Sequence, residues 1–218
     1  MEFLKGFFGD GNSGESENDK KSQTLTALML QLRDADRDFF MHSLRTAGMV
    51  EGFGIQYGLS GDEVRELKLA GKLHDLGIGA IPPEIVWKVK TLRPLDEVES
   101  ELYKTHVDYT LRIIKDLDFL TPNVLSIIRH HHERFDGTGY PDRLRATEIP
   151  LGARILSIVN FFDKRRFDMG QEKVLDTIDA VEEVEIRSGS YFDPDLVDFL
   201  TIEDNNWRTE NEDQELSP

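Results

Sequence analysis

Between residues 24 and 200 the apolar side chains recur three and four positions apart, and no segment sustains a two-residue alternation. A half-buried strand alternates with period two, whereas a helix buries a stripe of period 3.6, so this spacing excludes a sheet and predicts an all-α fold. Leu25, Leu28 and Leu32, then Phe39, Leu44, Ala47 and Val50, carry the pattern across Thr24–Leu59. Ser60 with Glu63 is a capping box that opens a second helix, running to about His74. Gly77, Gly79, Pro82 and Pro83 then break the chain. A long helix is expected over Leu95–Leu117, and another from Thr121-Pro122 to about His132. The stretch Arg134–Thr147, with Gly137, Gly139 and Pro141, reads as a loop. Further helices are expected over Pro150–Phe162, Gln171–Arg187 and Pro194–Leu200.

Polarity sets the boundaries. Residues 9–22 read GDGNSGESENDKKS, which cannot bury enough apolar surface to offset ordering, so residues 1–23 are expected to be a flexible N-terminal segment. Residues 24–201 form the domain, and 202–218 an acidic, disordered tail. Phe3, Leu4, Phe7 and Phe8 read as a frayed terminus, with a docking peptide as the alternative. The 218 residues carry 42 acidic and 26 basic side chains, a formal charge of −16. Such a charge disfavours polyanionic partners, namely nucleic acid polymers and anionic membrane faces. With no cysteine, disulfide scaffolds, thiolate zinc sites and cysteine nucleophiles are excluded. No apolar run approaches the roughly 20 residues of a spanning helix, and a cytoplasmic protein is expected.

The chemistry lies in the histidines. His42, His74, His106, His130, His131 and His132 all fall inside the helical region. One alone would read as a hydrogen-bonded structural residue, but several stand beside carboxylates. Asp38 and His42 are four apart on one helix face. His74 adjoins Asp75 at a helix end, and His131-His132-Glu133 precede the glycine-rich loop. Imidazole and carboxylate without thiolate suit manganese, iron or zinc at a hydrolytic centre, and ligands from separate helices suit a two-metal site in a bundle.

His74-Asp75-Leu76-Gly77 followed by Ile81-Pro82 resembles the HD signature of metal-dependent phosphohydrolases. HHERFDGTGYP from His131 to Pro141 resembles the hallmark of the HD-GYP subfamily, and HSLRTAG at His42, the lone His106 and IPLGARILSIV at Ile149 follow in register. The resemblance covers about Asp38–Leu200. It implies an HD-domain helical bundle with a metal site between helices, holding two or three divalent ions, iron or manganese. The implied reaction is hydrolysis of the bacterial messenger cyclic di-GMP to pGpG or GMP. Carried over by motif, His42, His74, Asp75, His106, His131 and His132 would be metal ligands, with Asp38 as an extra carboxylate for a third ion. His74 and Asp75 would be central to catalysis. Gly139, Tyr140 and Pro141 would shape the substrate loop, and Lys88 and Arg166 are candidates for substrate contact.

Two positions depart from the family pattern. Where the family has a lysine that helps position the scissile phosphate, this chain has Ile78. At the place of a ligating aspartate it has Asn160, whose carbonyl coordinates without bringing negative charge. Asp163, one turn on, is a candidate substitute. These changes leave three readings. The first is a cyclic di-GMP phosphodiesterase. The second is a weakened domain that binds metal or cyclic di-GMP and signals through a partner such as a diguanylate cyclase. The third is a related hydrolase of another nucleotide.

Overall fold

The computed structural model describes residues 16–200, so the expectations for the aromatic N-terminus and the acidic tail lie outside the described residues. Among the described residues there is no strand, only an isolated bridge between Ser188 and Phe192, and the all-α expectation holds. The first described helix, α1 (Glu17–Ala35), starts seven residues before Thr24. Ser16 and Asp19 close a capping box that satisfies its first amides, so part of the stretch expected to be a linker is helical. At Asp36 the backbone turns extended, and the Asp36 side chain caps α2 (Arg37–Gln56) by accepting from the amides of Asp38 and Phe39. The expected continuous Thr24–Leu59 pattern is therefore two helices. The predicted Ser60/Glu63 box opens α3 (Gly61–Leu73).

Next come a 3-10 turn (Leu76–Ala80), α4 (Pro83–Lys90) and α5 (Glu97–Lys104), followed by α6 (His106–Ile114) and α7 (Pro122–His130). The helix expected over Leu95–Leu117 is thus broken at Thr105, where the Thr105 amide bonds back three residues to the Leu102 carbonyl at 3.1 Å. The interruption leaves Thr105 in near-helical conformation, so the apolar spacing runs through it unaltered. After the loop, α8 spans Leu151–Arg166, one turn beyond the expected Phe162. α9 is Thr177–Glu185, capped by Asp176 rather than starting at Gln171, and residues 194–200 form α10.

The core is a single apolar cluster that includes Leu28, Phe39, Phe53, Leu67, Ile127 and Ile155, all at most 2% exposed. Two glycines set distances that the site depends on. A Cβ on Gly71 would meet Val50 at 3.0 Å, so this glycine lets α3 approach α2. A Cβ on Gly77 would run into the His106 carbonyl and the Thr110 amide of α6. Glycine there lets the 3-10 turn lie against α6, and the Gly77 amide donates to Thr110 Oγ1 (2.8 Å), which donates to the His74 carbonyl (3.1 Å).

Candidate metal centre

Close packing of α2, α3, α6, α7 and α8 brings five imidazoles around one carboxylate. Asp75 ends the tight segment after α3 and is fully buried. Its side chain belongs to two groups of candidate ligands: His42, His74 and Asp75 in one, and Asp75, His106, His131 and His132 in the other. The ligand atoms of each group lie within 4.8 Å of one another. Oδ2 faces His74 Nε2 at 3.1 Å and His42 Nε2 at 3.6 Å, while Oδ1 faces His106 Nε2 at 3.4 Å. One carboxylate thus presents an oxygen to each side.

Backbone carbonyls fix the rings. Nδ1 of His74 lies 2.8 Å from the Gly71 carbonyl, that of His106 2.7 Å from Tyr103, and that of His131 2.7 Å from Ile128. A carbonyl only accepts, so Nδ1 carries the proton in each ring and Nε2 keeps its lone pair for the centre, the arrangement metal-binding histidines use. His42 is held by a side chain instead. Its Nδ1 is 2.5 Å from Asp163 Oδ2, and Asp163 is clamped from the other side by Arg45. Asp163 therefore orients His42, and its carboxylate is not the substitute ligand that the sequence suggested.

The electrostatics favour donor atoms over protons. Burial pushes His106 down to about 4 and holds His131 and His132 well below the usual imidazole range. Burial also lowers His42, against the opposing hydrogen bond from Asp163. For Asp75, burial acts to raise the carboxyl, but His74 and Lys164 outweigh it and hold the group well below the usual carboxylate range. His106 and His132 then face each other with Nε2 atoms 3.2 Å apart, and His42 and His74 with theirs 3.3 Å apart. Rings whose Nε2 atoms converge in this way suit a shared cation. Both Asp75 oxygens, His131 Nε2 and Asn160 Oδ1 are buried with no hydrogen-bond partner. Atoms of this kind are costly to bury unless something coordinates them. The nitrogen and oxygen donor set fits divalent iron, manganese or zinc, with Asp75 as the bridge.

Other expected residues fall around or outside this centre. Tyr140 stacks on His132 (centroids 4.8 Å, 18° between planes), which places the loop tip against the ligands. Gly139 packs on Glu133, where a Cβ would overlap backbone, and buried Glu133 accepts the Asp142 amide at 2.7 Å, closing the loop around Pro141. Asp38 is in neither ligand group, because Lys90 of α4 takes its carboxylate. Lys88 pairs with Glu99 at 2.5 Å, and Arg166 donates to Thr177 Oγ1 at 3.0 Å, so both are engaged by neighbouring elements rather than by the ligand groups. His130 lies apart, on Ser126 and Asp142. Sequence reasoning missed Lys164, whose Nζ stands 3.6 Å from Asp75 Oδ2. The available signal was its spacing, four residues after Asn160 and so on the same face of α8.

Comparisons with known proteins agree with this geometry. An HD-domain family model matches residues 26–196. The chain is 33% identical over 187 residues to the cyclic di-GMP phosphodiesterase response regulator RpfG of Xanthomonas campestris, covering 84% of this chain and 48% of that protein. It is 33% identical over 183 residues to 3'3'-cGAMP-specific phosphodiesterase 2 of Vibrio cholerae, covering 82% and 34%. It therefore spans between a third and a half of the length of these relatives. Among solved structures, a cyclic GMP-AMP specific phosphodiesterase of V. cholerae shares the fold with a TM-score of 0.65 at 23% identity, over 86% of this chain and 49% of that one. The HDG"Y"P protein Bd1817 of Bdellovibrio bacteriovorus does so with a TM-score of 0.57 at 19% identity, over 73% and 50%. With its HD pair at the shared carboxylate, the chain belongs to the HD-domain family, and its HHE and GYP motifs resemble those of the HD-GYP subfamily.

Proposed function

We propose that this protein is a metal-dependent phosphodiesterase that hydrolyses cyclic di-GMP to pGpG or GMP. The observation that carries the reading is Asp75, a buried carboxylate shared by two sets of imidazoles whose lone pairs converge on it. His42, His74 and Asp75 would hold one divalent ion and Asp75, His106, His131 and His132 a second, with Asn160 a further oxygen donor from α8. Ions bound there would supply a hydroxide at neutral pH and offset charge on the phosphate oxygens. The protein's part is to disfavour protonation of His42, His106, His131 and His132 by burying them, and to aim the rings through the Gly71, Tyr103 and Ile128 carbonyls and Asp163. Tyr140, stacked on His132, and the glycine-shaped loop around it form the wall against which a guanine or ribose would lie. Iron and manganese are the metals we favour, on the donor set alone. The cytoplasmic setting expected from composition goes with an intracellular messenger as substrate.

At a charge of −16 the chain as a whole repels an anionic dinucleotide, so the reading requires bound metal to supply the local attraction. A second reading, a module that binds the nucleotide or metal and signals through a partner such as a diguanylate cyclase, is favoured by Ile78 and Asn160. One experiment separates them: anaerobic protein loaded with iron or manganese is given cyclic di-GMP and 3'3'-cGAMP, with His74→Ala as control. Linear or mononucleotide product that vanishes in the variant supports the enzyme. Binding without product, from protein that holds its metals, supports the module. Faster cGAMP turnover would change the substrate and keep the reaction.

A further inference from the structure

α8 delivers to the centre a charged side chain that neither ligand group uses. Lys164 Nζ lies 3.6 Å from Asp75 Oδ2, longer than a hydrogen bond, beside the Tyr103 phenol and 5.4 Å from the centroid of the Phe39 ring. Its side chain is 17% exposed, whereas those of Asp75, His42 and His106 are fully buried, so Lys164 is the most exposed of these groups. A buried cation next to a metal-binding carboxylate has two uses. It can replace a metal ion, or it can receive an anion.

Geometry separates the two. An ammonium filling a metal position would donate hydrogen bonds at about 2.7–3.2 Å to the converging donors. Instead Asp75 Oδ1 and Oδ2, His131 Nε2 and Asn160 Oδ1 all lack a hydrogen-bond partner. Lys164 is outside the donor cage, facing the oxygen that His42 and His74 also face. Ile78, at the position where the resembled family carries its phosphate-positioning lysine, is 1% exposed and part of the apolar core, so no side chain of the 3-10 turn brings a charge to phosphate. The ammonium is missing from one element and present on another, at the same carboxylate.

We propose that Lys164 is the phosphate-binding residue of this centre, donating from α8 to a non-bridging phosphate oxygen of the substrate in place of the lysine absent at position 78. The proposal rests on the reading of the centre as one that acts on phosphodiesters, and it identifies a residue that reading lacked. An ammonium fixed there attracts the phosphate before reaction and stabilises the charge that builds on its oxygens.

The test uses manganese-loaded protein with Lys164→Met, which keeps the length of the side chain without its charge, and Lys164→Arg. Three quantities are measured: metal per chain, affinity for inorganic phosphate by calorimetry, and kcat/KM for cyclic di-GMP and for bis(p-nitrophenyl) phosphate. Lys164→Met is expected to hold as much metal as the parent, bind phosphate about tenfold more weakly, and lose on the order of 10²-fold in kcat/KM. Lys164→Arg should recover most of the phosphate affinity. Should Lys164→Met take up an additional ion, with phosphate affinity unchanged or higher, Lys164 is a resident cation and the proposal falls. It falls equally if phosphate affinity is the same in all three proteins, or if the parent binds none. Should Lys164→Met fail to fold by circular dichroism, Lys164→Gln takes its place. Failure of the cyclic di-GMP reading shows separately, as phosphate binding that depends on Lys164 in a protein that turns over neither cyclic dinucleotide.

Discussion

The two halves of the centre share Asp75 and differ in nearly everything else. On one side His106, His131 and His132 come from α6 and the end of α7; two of these rings are pinned by backbone carbonyls, and Tyr140 backs the third. On the other side His42 depends on a side chain, Asp163, and α8 adds a neutral Asn160 and a cationic Lys164. Where the pattern the chain resembles has an aspartate there is Asn160, and Lys164 stands near the shared carboxylate. Both features make that half more positive. A more positive donor set holds a divalent cation less tightly and an anion more tightly. The balance between metal and phosphate can therefore be altered from α8, which carries both Asn160 and Lys164.

The largest effect should come from removing what the halves share. Asp75→Ala takes an oxygen from each group, so metal content should fall to near zero and turnover by about 10³-fold or more. Metal analysis of the purified variant decides the matter. If it retains one tightly held ion, the His106 half stands without the bridge and the halves are more independent than their geometry implies.

Restoring charge should sharpen the asymmetry. Asn160→Asp puts back a carboxylate where a buried amide oxygen now lacks a partner, and affinity for the more weakly held ion should rise by about tenfold. Titration with a competing chelator reads this as a shift in the weaker of two binding events, with the tighter one unmoved. A shift in the tighter event would place Asn160 on the other half.

How much of this was legible in the sequence follows from what periodicity and motifs can carry. His74, Asp75, His106, His131 and His132 were readable because each sits in a short, locally determined segment, and Gly77 was readable as part of the same motif. The break at Thr105 was not readable, since a tightened turn leaves the apolar spacing intact. The start of α1 was hidden because Ser16 and Asp19 supply a cap inside a stretch whose composition argues for disorder. The pairing of Asp38 with Lys90 was not readable, because the spacing of Asp38 to His42 says nothing of a residue 52 positions away. The orienting role of Asp163 and the place of Lys164 escaped for the same reason. Their roles depend on partners more than 80 residues earlier, which only the packing of α8 against α2 and α3 brings near.

The smallest expected effect is on stability, and it too separates the halves. In metal-free protein His106 is pushed down to about 4 by burial, against 6.5 when unfolded, and His131 and His132 move in the same direction. The unfolded chain therefore takes up protons before the folded one does. Stability is full above about pH 6.5 and declines as pH falls from there toward 4. At pH 5.5 His106 alone should contribute a loss of about 1 kcal/mol relative to pH 7.5, and its two neighbours should add to it. His42 should contribute less, because Asp163 opposes the effect of burial. Urea midpoints of the metal-free protein at the two pH values measure the loss, and the same pair for His106→Ala and His42→Ala divides it between the halves. A midpoint that does not move between pH 7.5 and 5.5 would mean that the imidazoles are charged in the folded protein. Equal contributions from His42 and His106 would mean that Asp163 does not distinguish the two sides.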